Sequence, residues 1–197
     1  MTAFTDRLDS IYTITNRPDL VADTKRMVKA ATLKAHSSDF YPKDLFEVAL
    51  AFEAPAYLQE FEYRTHVPRW RALKYLRKYD FANDSPLEFF EIVTPEQVLD
   101  SYKVQKENVL YLAGEVIKIR SYDMFDYAIL SCYVHPDVTE DTYSSWVASE
   151  YPQVIDFEAA SMIFKMIGHD EMASFYTRES AILLAEMKNS NILLQGY

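Results

Sequence analysis

The stretch that most constrains this chain is Val109–Val134, VLYLAGEVIKIRSYDMFDYAILSCYV. Two apolar runs, Val109–Ala113 and Val116–Ile119, flank the single Gly114. Val116, Ile117 and Ile119 are β-branched, and Lys118 and Arg120 begin an alternation of apolar and charged residues. Strand-forming arms around a residue free to adopt positive φ are the chemistry of a hairpin. A third apolar run, Tyr127–Val134, stops at His135-Pro136-Asp137. The expectation is a three-stranded antiparallel meander with helices before and after it, hence an α+β fold. No catalytic motif lies on it.

At 197 residues the chain has the length of one domain with extensions. Its helical part is expected over about 19–52 and 139–188, with a sheet part inserted over about 57–135 and an extended tail at 189–197. Phe4, Leu8, Ile11 and Tyr12 recur at helical spacing before Asn16-Arg17-Pro18. A helix is expected from about Asp19 to His36, with Pro18 in its first turn and Asn16 or Arg17 near the cap. Leu20, Val21, Thr24, Met27, Val28, Ala31 and Ala35 form its apolar stripe, and Lys25, Arg26, Lys29 and Lys34 face away. Tyr41–Phe52 fits a helical turn or a strand, and Pro55 is expected to break it. Tyr57–Tyr63 and Leu87–Val93 read as strands, and Thr94 caps a short helix through about Tyr102. From Thr139 onward the pattern is helical. Thr139 or Asp141 is expected to cap a helix to Glu150, Val154–Ile167 follows with Gly168 as C-cap, and a third helix covers His169 to about Lys188.

Composition removes several function classes. The chain has 20 basic against 30 acidic residues, a net charge of -10. That balance argues against a static grip on nucleic acid, which depends on cations neutralising phosphates, yet leaves room for DNA to pass without sticking. Gly114, Gly168 and Gly196 are the only glycines, so phosphate-cradling loops are absent. Cys132 stands alone, which rules out an intramolecular disulfide and fits a reducing, intracellular place of synthesis. MTAFTDRLDSIY lacks the charged and apolar regions of a signal peptide, and no apolar run reaches the ~18–20 residues of a membrane span.

Catalytic and metal motifs are also missing. His36, His66, His135 and His169 pair with no other His or Cys at ligand spacing, and no GxSxG elbow occurs. His135-Pro136-Asp137 matches the tripeptide of J-domain cochaperones but follows a β-like run, where turn-forming proline accounts for it. Cys132 is expected to be a buried apolar thiol. Asp123 with Asp126 in a turn, or Glu60 with Glu62 on one strand face, would be the candidates for acid–base chemistry. The expectation is no enzyme, no metal and no cofactor.

One charge block stands out. Between Tyr63 and Tyr79 lie Arg64, Arg69, Arg71, Lys74, Arg77 and Lys78 with no acidic residue, interleaved with Trp70, Tyr75 and Tyr79. Single-stranded nucleic-acid platforms share that composition. The alternative is a basic face meeting acidic neighbours in the same or another subunit. Neither the helical nor the strand period fits residues 69–79. Residues 139–197 carry nine acidic and three basic groups, so the two ends of the charge scale are separated along the chain.

The order of blocks is NRPDLVADTKRMVKAAT, then FFEIVTPEQVLDSY, then VLYLAGEVIKIRS, then YVHPDVTEDTYSSWVASEYPQVIDFEAASMIFKMIG. It resembles the head-to-tail adaptor (connector) proteins of tailed bacteriophages, including the tail tubular or gateway proteins of short-tailed phages. The most telling pieces are Tyr133-Val134 with Pro136-Asp137, Ser145-Trp146, Tyr151-Pro152 and Glu158-Ala159-Ala160. The resemblance implies a structural virion protein at the head–tail junction, made in the host cytoplasm. It implies a homo-oligomeric ring, usually of about twelve copies, docked under the portal protein, contacting a tail nozzle or tail tube protein and passing double-stranded DNA through its lumen. No membrane and no cofactor are implied. On this resemblance His169–Lys188 frames the ring, and Ile192, Leu193, Leu194 and Tyr197 form a portal-docking tail. Arg64, Arg69, Trp70, Arg71 and Arg77 are candidates for the contact between subunits or with the tail. The competing expectation is a small acidic intracellular module that covers a basic partner, as an inhibitor does.

Overall fold

Both ends of the chain build one unit and its middle builds another. In a computed structural model, which describes residues 3–80, 83, 85–99 and 105–194 (side chains to Asn191), residues 1–44 and 135–197 form a helical unit and Leu45–Val134 a sheet unit. The elements are α1 (Ala3–Thr15), α2 (Val21–Ser37), β1 (Leu45–Glu62), α3 (Tyr63–His66), β2 (Trp70–Asp80), β3 (Ser85–Phe89), β4 (Glu91–Ile92), β5 (Val109–Ala113), β6 (Val116–Val134), α4 (Trp146–Glu150), α5 (Pro152–Met166) and α6 (Asp170–Leu194). The fold is α+β.

In the helical unit α1 buries Phe4, Leu8, Ile11 and Thr15, spaced for one helical face. It ends at Asn16, whose φ of 51° is left-handed and whose N–H bonds Tyr12 O at 2.9 Å. The helix expected from Asp19 starts at Val21 instead, with Leu20 at the N-cap. Pro18 falls in the preceding turn, and Arg17 is held by Asp19 at 2.7 and 2.8 Å rather than capping the helix. Thr24, Val28, Ala31 and Ala35 face the core. On the outer face Lys25 and Lys29 converge on Glu140 at 2.6 and 3.2 Å, and Lys34 reaches Glu158. The cap of α4 is Ser145, which accepts Ala148 N–H at 3.1 Å, not Thr139 or Asp141. Asp137 organises the residues that lead to that cap, accepting from Thr139 N–H and the Thr142 hydroxyl.

The central helix of this unit is α5, packed on α1, α2, α4 and α6. Val154, Ile155, Ala159, Ala160, Ile163 and Phe164 are all buried, so apolar residues occur around much of its girth. It closes as expected at Gly168 (φ 79°), with Gly168 N–H to Lys165 O and His169 N–H to Phe164 O, the paired bonds of a Schellman motif. α6 continues to Leu194, past the expected end near Lys188 and into the segment read as an extended tail. Asn189–Leu194 contains no glycine or proline to stop it, and Asn191 Nδ2 bonds Met187 O at 2.9 Å.

In the sheet unit the hairpin forms as expected. Ala113 pairs with Val116 across Gly114-Glu115, and Gly114 has φ 64°. The third arm of the meander does not exist: β6 runs unbroken for 19 residues from Val116 to Val134. Ser121–Asp126 holds no glycine or proline, so Asp123 and Asp126 lie along a strand and not in a turn. Residues 45–52, assigned above to the helical part, open the 18-residue β1, which continues through Pro55. The β1–β6 ladder slips between Ala51 and Leu58 and then recovers the register it had before. A slip of that kind accommodates proline, which has no N–H for a ladder. On β6 the buried side changes from Ile117 and Ile119 to Ala128, Leu130 and Cys132, so both halves face one core.

β1 flanks β6 on one edge, and β5 and β2 share the other, β5 along the first half of β6 and β2 along the second. All pairings are antiparallel except β4 with β5. The strand expected over Leu87–Val93 is divided at buried Phe90: β3 bonds β2, and β4 bonds β5. The strand order β3-β2-β6-β5-β4 therefore closes on itself through one residue. Of residues 69–79, Arg69 lies in a turn and the rest belong to strand β2, and slips at Trp70/Ala72 and Leu73/Tyr75 explain why no single period fits. The helix expected from Thr94 is a 3₁₀ turn, Pro95–Val98, with Gln97 Oε1 accepting Thr94 N–H; Tyr102 lies outside the described residues. Among the described residues no helix is long and apolar enough to cross a membrane.

Candidate interaction surfaces

The two slips in β2 sort its residues. Trp70, Leu73 and Leu76 pair with Val134, Cys132 and Leu130 on the core side, whereas Ala72, Tyr75 and Arg77 pair with Tyr133, Ser131 and Ile129 on the other. Trp70, expected at an interface, is only 8% exposed and lies 4.3 Å from the Tyr63 ring. A core position suits its large apolar ring better. Arg64 is exposed but paired with Glu115 at 2.9 Å beside the hairpin turn. Arg71 is half-buried. Lys78 is buried, with its Nζ 4.0 Å from the centroid of the Tyr122 ring, a cation–π contact. The Tyr122 hydroxyl donates to Glu88, and that bond pushes the phenol up to about 12.

Arg69, Lys74 and Arg77 remain without an ion pair among the described residues. The Arg77 guanidinium sits 5.9 Å from the centroids of both Tyr75 and Phe89, which meet edge to face at 5.2 Å. Its Nε is buried and has no hydrogen-bond partner. Lys74 lies over the Tyr133 ring, Tyr75 donates to Glu47, and Phe89 is 56% exposed. Burial, then the Glu47 bond, raises the Tyr75 pKa. These groups form a basic and aromatic sheet face.

On α6, Glu171, Phe175, Glu179, Ile182 and Glu186 fall on one side at helical spacing. Phe175 and Ile182 are 45% and 48% exposed, and Glu171 and Glu186 are exposed. Of the expected docking tail, Ile192, Leu193 and Leu194 belong to the last turn of α6, and Tyr197 lies outside the described residues.

Sequence reasoning missed a buried polar cluster in the helical unit. His36 Nδ1 bonds Asp44 Oδ1 at 2.7 Å, its Nε2 bonds Ser145 Oγ at 2.9 Å, and Trp146 Nε1 donates to Asp44 at 2.8 Å. The order Ser–His–Asp is that of an acyl-transfer triad. Ser145, however, is 8% exposed and its oxygen already caps α4. A nucleophile needs an open approach for its substrate, so the cluster ties α2 to α4 instead. Its members come from three separated segments, and no spacing announces them.

A second buried site lies between α1 and α5. Asp156 Oδ2 accepts from Arg7 at 2.8 Å and Ser10 at 2.7 Å, and Oδ1 has no hydrogen-bond partner. Burial outweighs Ser10 and Arg7 and raises the carboxyl to about 6.

Among the described residues no three His, Cys, Asp or Glu side chains are grouped to hold a metal. Glu60 pairs with Lys118 at 3.4 Å, and Glu62 accepts from Thr65. Cys132 is fully buried, and burial pushes its thiol up to about 11. No family model and no curated protein matches the chain.

Proposed function

We propose that this chain is a structural virion protein, a head-to-tail adaptor that forms a ring between the portal and the tail of a tailed phage. The observation that carries the reading is the ordered set of sequence blocks described above. NRPDLVADTKRMVKAAT supplies most of α2, VLYLAGEVIKIRS the β5–β6 hairpin, and the block from Tyr133 to Gly168 ends in α4 and α5. A ring closed by heterologous contacts needs two different, complementary faces on each copy. The basic sheet face and the acidic helix face meet that need. The net charge of -10 suits a lumen through which DNA slides without being held. In this reading the protein performs no reaction and holds no cofactor. Its partners are further copies of itself, the portal, a tail nozzle or tube protein, and passing double-stranded DNA, and its place is the head–tail junction.

The test is single-particle imaging of the protein mixed with the portal particle it co-purifies with. Rings of about a dozen copies stacked on a second ring are expected. A discrete one-to-one complex with a non-viral basic protein overturns the adaptor reading in favour of an acidic inhibitor-like module.

A further inference from the structure

We propose that the basic, aromatic face of β2 and β3 receives the acidic, apolar face of α6 from a second copy of this chain. The inference rests on the reading of the chain as a ring subunit and narrows it to two surfaces.

Unmet chemistry marks the first surface. Lys74 and Arg77 have no carboxylate partner among the described residues, although this is an acidic protein with 30 carboxylate side chains. Arg77 is already oriented, packed against both the Tyr75 and Phe89 rings, and its buried Nε makes no hydrogen bond. A guanidinium fixed in this way loses little freedom on accepting a carboxylate. Phe89 adds an exposed ring beside it, and arginine next to aromatic rings is the composition of an interface centre.

The second surface has the complementary pattern. Glu171, Glu179 and Glu186 alternate with Phe175 and Ile182 along one side of α6. Among the described residues only Glu179 of these has a cation within ion-pair distance, Arg178 at 3.5 Å, and both lie on the helix surface. The lengths agree as well. Fifteen helical steps from Glu171 to Glu186 cover about 22 Å, and β2 from Trp70 to Lys78, which spans the six ladder steps from Val134 to Ala128, about 20 Å. Because the two surfaces differ, the contact is head-to-tail and repeats from copy to copy, which is the geometry that generates rings.

Nucleic acid is a weaker fit to the same face. Three unpaired cations among the described residues neutralise few phosphates.

The experiment mixes equal amounts of ¹⁴N- and ¹⁵N-labelled full-length protein at up to about 1 mM and couples amines to carboxylates with a carbodiimide. Mixed-isotope peptides joining Lys74 to Glu171, Glu179 or Glu186 are expected. Reversing Lys74→Glu with Arg77→Glu weakens self-association by at least about tenfold, as does Glu179→Lys with Glu186→Lys. Mixing those two charge-reversed proteins restores it. Mixed-isotope links that bypass Lys74, no mixed-isotope link at all, or wild-type retention on a nucleic-acid column lost with Arg77→Glu would each overturn the contact. Rings imaged on the portal without these links leave the adaptor reading standing and this contact wrong. A one-to-one complex with a non-viral partner removes the adaptor reading itself.

Discussion

Replacing Asp156 by asparagine changes how the stability of the helical unit depends on pH. Asp156 is 4% exposed, and its carboxyl is raised from the ordinary value near 4 to about 6, with burial as the main cause. A group whose pKa is raised on folding contributes most below its unfolded pKa, and that contribution is lost as pH rises through the folded value. The window is therefore about pH 4 to 6, and a two-unit shift corresponds to about 3 kcal/mol. Asparagine keeps a carbonyl oxygen for Arg7 and Ser10 but cannot ionise, so its variant lacks this slope. Trp146 reports on the helical unit, and Trp70→Phe in both proteins removes the signal from the sheet unit. Urea denaturation followed by Trp146 fluorescence at pH 4, 5, 6 and 7 should show wild type losing about 3 kcal/mol more than Asp156→Asn across the series. Parallel profiles would show that the carboxyl titrates alike in the folded and unfolded chain, with Ser10 and Arg7 offsetting desolvation.

Four further outcomes follow from the packing. Gly114→Ala places a side chain at φ 64° with nothing within 4 Å of the new carbon, so the cost is backbone strain alone, about 1–2 kcal/mol by denaturation; a near-zero change would refute it. Ser145→Ala removes both the α4 cap and the His36 bond and should cost about 1–3 kcal/mol in the Trp146 transition. Leu130→Ala, at a fully buried position of the sheet core, should cost about 2–5 kcal/mol in the Trp70 transition, and a smaller loss would mean the core collapses around the gap. Native Cys132 should resist a thiol reagent at pH 8 and react only on unfolding; prompt labelling would contradict its burial.

Where local chemistry decides, the sequence was legible. Gly114 announces the hairpin because its conformation is required there, and Gly168 announces the end of α5 for the same reason. The apolar rows of α1 and α2 likewise predict most of their buried faces, although Val21 of the α2 row is 47% exposed. Errors arose where tertiary pairing overrode a local signal. Pro55 is a strand breaker in isolation, yet β6 supplies a bulged partner that carries β1 past it. Ser121–Asp126 resembles a loop by polarity, but without a turn residue the strand continues through it. The α2 cap was misplaced because Arg17 and Asp19 satisfy each other. Trp70 illustrates the limit for sites: it is flanked by exposed Arg69 and half-buried Arg71, and only the register of β2 against β6 reveals that it faces inward. The His36–Asp44–Ser145 cluster was invisible because its residues meet only once α2 and α4 are packed.

The sheet unit enters and leaves through paired residues, Leu45 opposite Tyr133, and occupies one contiguous run of chain. The helical unit does not: Arg7 must wait for Asp156, 149 residues later. During synthesis the sheet unit has all its strands before α4, α5 and α6 exist, while α1 and α2 remain without the helices they pack on. The last quarter of the chain thus sets when the helical unit folds. A nascent chain that has emerged through Val134 but not yet through α5 should carry a finished sheet unit flanked by an exposed, unpaired amphipathic segment, the form in which this protein is most exposed to chaperones and proteases.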